Sequence, residues 1–164
     1  MIIVADTTPL LYLSRLGLLD VLQQLYETVI LPTEVWRELV EYSPDAPGVA
    51  ELRRATWLRV DASADTSPLL VELREDLDDG ESAAIALALH LGAALILIDE
   101  RDGRHEAEAR GLAVRGSVGL LIAARERGLI PALRPVLDAL TQAGFRMDRK
   151  LYRAALEIVG ESAE

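Results

Sequence analysis

The sequence contains no cysteine, which removes disulfides, thiolate nucleophiles and Cys-ligated zinc. It has two histidines, His90 and His105, too few for a His-rich metal site, so any metal here would be a hard cation held by oxygen. Aromatic residues amount to 4%. The core must therefore be Leu, Ala, Val and Ile, which suits helices layered on a parallel sheet better than a β-sandwich. The longest apolar run, from Ala83 to Ile98, is interrupted by His90 and Gly92 and falls short of the ~20 residues of a spanning helix. The N-terminus lacks a basic stretch and meets an acid at Asp6, unlike a signal peptide. These absences predict a cytoplasmic protein with no membrane partner. There is also no G-x-x-x-x-G-K-[ST] phosphate loop, no G-x-G-x-x-G dinucleotide turn and no nucleophile elbow.

What is present fills one compact domain spanning 1–164. The 164 residues are 51% hydrophobic with a mean hydropathy of +0.20, which excludes global disorder. The net charge is −10, from 17 basic and 27 acidic side chains. Residues 1–100 carry 6 basic and 18 acidic groups, residues 101–164 carry 11 and 9. One part is strongly acidic and the other mildly basic, and Lys150 is the sole lysine.

The apolar pattern predicts strands at Ile2–Ala5, Thr28–Leu31, Trp57–Val60, Ala94–Ile98 and Leu112–Arg115. Between them lie one or two helices over Leu10–Leu25, with Thr8-Pro9 as N-cap and first-turn proline. A helix starts at Pro32-Thr33, another runs to about Ala55 after a Pro/Gly loop, and a third runs from Ser67-Pro68 to Leu77. An Ala/Leu-rich helix covers 81–91 and places His90 in the core. Helices near 102–110, 117–127, 131–142 and 148–158 follow. Such alternation implies an α/β fold, a parallel sheet covered on both faces, with its core in about 1–130 and closing helices over about 131–158.

In open α/β sheets, sites lie at the carboxyl ends of the strands. The first strand delivers Asp6, and the second leads to Glu34 and Glu38 on one helix face. The fourth delivers Asp99, Glu100 and Asp102, and the helix before it opens with Asp78-Asp79-Gly80-Glu81. Each acid has an ordinary role as well. Asp6 can stabilise a helix N-terminus, Arg37 can pair with Glu41, and Asp78 with Glu81 has capping-box spacing. Their convergence is what points to chemistry. Carboxylates gathered together repel and take up protons, a problem that divalent cations remove, and two such cations can clamp a phosphodiester. The pair Gly116 and Gly119 reads as a strand-to-helix turn.

These acids sit in four segments that resemble a known family: Ile2-Ile-Val-Ala-Asp6-Thr-Thr-Pro-Leu10, Val29-Ile-Leu-Pro-Thr-Glu-Val-Trp-Arg-Glu38-Leu39, Asp79-Gly-Glu81-Ser-Ala-Ala-Ile-Ala-Leu-Ala88 and Leu95-Ile-Leu-Ile-Asp99-Glu-Arg-Asp102. Together they are similar to PIN-domain proteins, particularly the prokaryotic nucleic-acid-binding branch related to VapC-type toxins. The resemblance implies a PIN-like three-layer fold and a toxin-type endoribonuclease using Mg²⁺ or Mn²⁺. It also implies an RNA substrate, a homodimer and a cognate antitoxin protein as partner. Asp6, Glu38, Glu81 and Asp99 match the four acids, with Glu100 or Asp102 as substitutes for the fourth. Asp6, Glu81 and Asp99 are then the metal ligands, with Asp102 as a further ligand or orienting group. Glu38 would orient a water or a second ion, Thr7 or Thr8 would position a water, and Arg101 and Arg104 would hold the RNA strand.

Two other readings compete. One is a PIN fold used only to bind a partner protein. The other is phosphoryl transfer onto Asp6, which needs a lysine near the phosphoryl group, and Lys150 lies in a late helix.

Overall fold

The computed structural model describes residues 1–162. Five strands form one sheet in the order β3-β2-β1-β4-β5, every pair parallel. They are β1 (Ile3–Ala5), β2 (Val29–Pro32), β3 (Leu58–Asp61), β4 (Leu95–Leu97) and β5 (Val114–Arg115). The central strand β1 is wholly buried because both its faces are covered. Ile3 and Ala5 point into one hydrophobic cluster and Val4 into the other, as the two-residue period of a strand requires. On β4, Leu97 joins the first cluster while Ile96 joins the second. The fold is the expected α/β sandwich of helices about a parallel sheet.

The helices are α1 (Thr7–Arg15), α2 (Leu19–Tyr26), α3 (Thr33–Trp36), α4 (Val49–Arg54), α5 (Pro68–Leu73), α6 (Asp79–Leu91), α7 (Arg101–Ala109), α8 (Ser117–Glu126), α9 (Arg134–Gln142) and α10 (Arg149–Ile158). A π turn, Arg37–Glu41, continues α3. Buried side chains of α1, α2, α8, α9 and α10 fill one cluster; those of α5, α6 and α7 fill the other. Helix α6 is buried along Gly80–Ala88, its alanines allowing close approach to the sheet. It ends at Gly92, whose φ of 65° suits the left-handed cap. None of the helices among the described residues is long and apolar enough to cross a membrane.

Several boundaries differ from the sequence pattern for physical reasons. Helix α1 starts at Thr7, so Asp6 rather than Thr8 occupies the N-cap position, yet its side chain makes no capping bond. Helix α9 starts at 134 instead of 131, because Pro135 fits only the first turn. Helix α5 stops at Leu73. His90 is exposed, not in the core, because α6 leaves the sheet in its last turn. His105 is exposed.

Reversal of the chain's direction of growth across the sheet falls between β1 and β4: β2 and β3 extend one side, β4 and β5 the other. A crevice opens at such a switch point, beyond the carboxyl ends of the two strands. Asp6 and Asp99 follow those two ends. The Asp6 backbone N–H still donates to the Leu97 carbonyl at 2.9 Å, so the ladder carries it one residue past the strand.

The end of the chain is pinned by Glu161. Its carboxylate accepts from the backbone N–H groups of Leu133 at 2.7 Å and Arg134 at 3.1 Å, and meets Arg125 at 3.3 Å. It thereby caps α9 from a distant position. These donors hold its pKa below the usual glutamate range. A depressed folded pKa adds stability above the unfolded value, which is lost as pH falls through the folded one. Glu161→Ala should lower stability by about 1 kcal/mol near neutral pH, the usual worth of a cap. Thermal unfolding at neutral pH and in acid, where the gap between variant and wild type should close, checks this.

Candidate active site

Asp6 lies at the end of the innermost strand and is 3% exposed. Its carboxylate has no cationic partner among the groups that weigh most on it. Burial raises its pKa, the Thr7 backbone N–H opposes, and Asp78, Glu38 and Asp99 raise it further, to about 7. A structural cap would be neutralised by the helix N-terminus it serves. Asp6 makes no capping bond further into the helix; the adjacent Thr7 N–H is its one opposing donor.

Glu38 reaches the same edge through the π turn after α3. An i→i+5 turn widens the helix by one residue, an irregularity that recurs at functional sites. Glu38 lies within it, and Glu34 lies in the preceding α3. Glu34 accepts from the Tyr42 hydroxyl at 3.2 Å and meets Arg37 at 3.8 Å, while Glu38 accepts from Thr7 Oγ1 at 2.5 Å. Arg37 also pairs with Glu41 at 3.8 Å. Burial raises the Glu38 pKa; the Thr7 hydroxyl lowers it, and Asp78, Glu34 and Asp79 raise it.

Glu81 sits in the first turn of α6 and is 6% exposed. Its backbone N–H donates to Asp78 Oδ1 at 2.8 Å, so Asp78 is the cap that the spacing predicted. Burial, hydrogen bonding with the Asp78 carboxyl, and the charges of Asp78, Asp6 and Glu100 push Glu81 up to about 8. Asp78 thus belongs to the electrostatics of the site as well as to the helix.

Asp99 follows β4. One oxygen accepts from the Ser117 backbone N–H at 2.7 Å and the other from Ser117 Oγ at 2.6 Å. Ser117 is fully buried at the N-terminus of α8, where the helix dipole favours an anion. Burial raises the Asp99 pKa against these bonds and against Arg104. The turn at Gly116, read from sequence as punctuation only, therefore orients an acid. Its position after β5, beside β4 in the sheet, was the available signal.

Three glycines make room for these carboxylates. A Cβ on Gly80 would stand 2.8 Å from Glu38 Oε2, one on Gly103 2.6 Å from Glu81 Oε2, and one on Gly116 2.8 Å from Asp99 Oδ1. Any side chain at these positions would push an acid away. The donors are all carboxylate and hydroxyl oxygens, the set a hard cation takes. In that chemistry, and in the space the glycines leave, the residues fit a divalent ion. Among the described residues, no three Asp, Glu or His side chains already stand grouped around one ion position. Glu38 is drawn to Thr7 and Asp99 to Ser117.

The remaining candidates lie at the rim. Arg104 has its guanidinium beside Gly116, 2.9 Å from where a Cβ would sit, and acts on Asp99. Arg101 and Asp102 are exposed. Asp102 lines a groove with Glu72, Glu75 and Glu106 on the α5–α7 side. Glu100, rather than Asp102, is among the charges that weigh most on Glu81 and Asp99. Glu106 pairs with Arg110 at 2.7 Å and not with Arg104.

A family model described as a PIN domain matches residues 2–161, so the chain belongs to that family. No curated protein and no solved structure matches it. The PIN domain is a nuclease-type fold whose members are generally hydrolases and typically use divalent metal ions.

The raised pKa values carry a sign. Folded Asp6 and Glu81 hold protons that the unfolded chain has released, so stability falls as pH rises from about 4 toward 7 and 8. Asp6→Asn should therefore be more stable than wild type near pH 8 in metal-free buffer, by roughly 1–3 kcal/mol. The difference should vanish near pH 4. Urea unfolding at the two pH values measures it; a wild type more stable than the variant at pH 8 would mean that the carboxylate is compensated.

Proposed function

We propose that this PIN-domain chain is an endoribonuclease that hydrolyses RNA phosphodiester bonds with Mg²⁺ or Mn²⁺ at Asp6, Glu38, Glu81 and Asp99. The observation that carries the reading is Asp6: a carboxylate 3% exposed, at the sheet's switch point, with Asp78, Glu38 and Asp99 acting on it and no ion pair among the described residues. Keeping such a group charged costs stability unless a cation neutralises it.

In this reading Asp6, Glu81 and Asp99 hold the ion. When bound, a divalent ion supplies Lewis-acid charge at the phosphate and lowers the pKa of water. Ser117 fixes both oxygens of Asp99, which sets the direction of its lone pairs. Glu38, steadied by the Thr7 hydroxyl, orients the attacking water and takes its proton; its raised pKa moves it toward the operating range of a general base. Arg104, beside Asp99, offsets charge that builds on the phosphoryl oxygens. Asp102 is an outer orienting group, and Arg101 holds the RNA strand.

A toxin-type role with a cognate antitoxin and a homodimer extends the same proposal. Its support is an apolar stripe on α10. Leu151 and Ile158 are 43% and 61% exposed on the face that also carries Ala154, and a face of this kind suits a two-fold contact. Light scattering should then give twice 17.9 kDa; the monomer mass would dispose of the dimer.

The non-catalytic, partner-binding reading is favoured by one observation: both Asp99 oxygens are already engaged by Ser117. Phosphoryl transfer onto Asp6 has no comparable support, since Lys150 is exposed on α10.

Cleavage of a mixed-sequence RNA should require Mg²⁺ or Mn²⁺ and be lost in Glu81→Gln with the fold kept. Mn²⁺ should also stabilise the wild type by about 2.7 kcal/mol at a hundredfold excess over Kd, read as a raised Tm, and leave Asp6→Asn nearly unmoved. An equal Mn²⁺ shift in both proteins would show that Asp6 is not a ligand. Bound metal without cleavage of any RNA would favour the partner-binding module.

A further inference from the structure

Beside Asp99 a cavity of about 370 Å³ opens between α1 and the segment after α9. Its walls include Tyr12, Arg101, Phe145 and Arg146, with Asp99 and Glu100 at one end. The segment reaches this place because Gly144, at φ 105°, turns the chain in a left-handed conformation after α9. Phe145 then donates its N–H to the Leu140 carbonyl at 3.1 Å, and its ring meets Tyr12 edge-to-face, centroids 5.3 Å apart. The Tyr12 hydroxyl makes no hydrogen bond among the described residues.

Charge selects this cavity over the others at the sheet's edge. Around the acids, Arg37, Arg74 and Arg110 are all paired with carboxylates. The groove on the α5–α7 side is lined by Glu72, Glu75, Asp76, Asp102 and Glu106 and repels a polyanion. Arg101 and Arg146, both exposed, have no carboxylate partner among the described residues. In a chain of net charge −10, this cavity's two guanidinium groups match the Asp99 and Glu100 carboxylates at its end, and two aromatic rings stand beside them.

We infer that this cavity receives one unpaired nucleotide of single-stranded RNA flanking the bond to be cut, its phosphate held by Arg101 and Arg146 and its base packed on Phe145 and Tyr12. The inference rests on the nuclease reading for the neighbouring acids. Guanidinium groups track a phosphate backbone. An aromatic ring accepts any base by its π-face, but only if that base is unstacked from a duplex. The cavity has the size of small-ligand sites, which admits one nucleotide and not a base pair.

The test is fluorescence anisotropy of a labelled short single-stranded RNA on full-length Asp6→Asn protein, which binds without cutting. Phe145→Leu in that background should weaken binding about tenfold. Arg146→Ala should weaken it severalfold and reduce the salt slope by roughly 0.7. A duplex of the same sequence should bind more weakly and ignore Phe145→Leu. Unchanged affinity in both variants, or no binding by the parent protein, overturns the inference. If Phe145→Leu fails to fold, Arg146→Ala alters only an exposed side chain and decides alone. Wild-type cleavage with Mn²⁺ while both variants bind unchanged removes this subsite and leaves the nuclease. Weakened binding in the variants, with no cleavage under either metal, keeps the subsite and removes the nuclease.

Discussion

A carboxylate at the end of a fully buried strand stays charged only with a cation beside it or several donors around it. Asp6 has one opposing donor, the Thr7 N–H, and three acids. The rest of the carboxyl edge is arranged around that deficit. Glu38 and Asp99 are each steadied by a hydroxyl, from Thr7 and Ser117, and the Glu81 backbone N–H donates to Asp78. None of these contacts neutralises Asp6. A site optimised for stability alone would place an arginine here; the arginines nearest the acids, Arg101 and Arg104, stand at the rim beside Asp99 instead.

The fold supplies the precision this requires. The switch between β1 and β4 brings Asp6 and Asp99 to one crevice, and Glu38, in the π turn after α3, meets Thr7 at the start of α1. Gly80, Gly103 and Gly116 let three helix starts and turns close to within contact distance of three carboxylates. Packing, in other words, holds together charges that would separate if the backbone were free to move. Stability given up at such a site is a common companion of function.

Much of this was legible in the sequence, and the parts that were not have physical causes. Strands β1 and β4 are short apolar runs buried on both faces, so they and the acids that end them stand out. Asp78 and Glu81 were legible as a cap by spacing, but a cap's charge contribution to a distant strand depends on the packing of α6 over β1. Ser117 was missed because a serine after a glycine looks like any helix start; only the adjacency of β5 to β4 gives it Asp99 as partner. The π turn at Glu38 has no local signature in residue type. The α9 boundary was readable from Pro135 and its first-turn restriction. His90 was misplaced because an apolar helix pattern does not show where the helix leaves the sheet.

The buried Asp6 carboxylate, with acids around it, is there for a divalent ion. Crystals soaked in Mn²⁺ and measured at the manganese absorption edge test it directly. An anomalous peak should stand within coordinating distance of the Asp6 and Glu81 carboxylates and be lost in Asp6→Asn. A peak only in the acidic groove of Glu72, Glu75 and Asp102, or none at all, would contradict it.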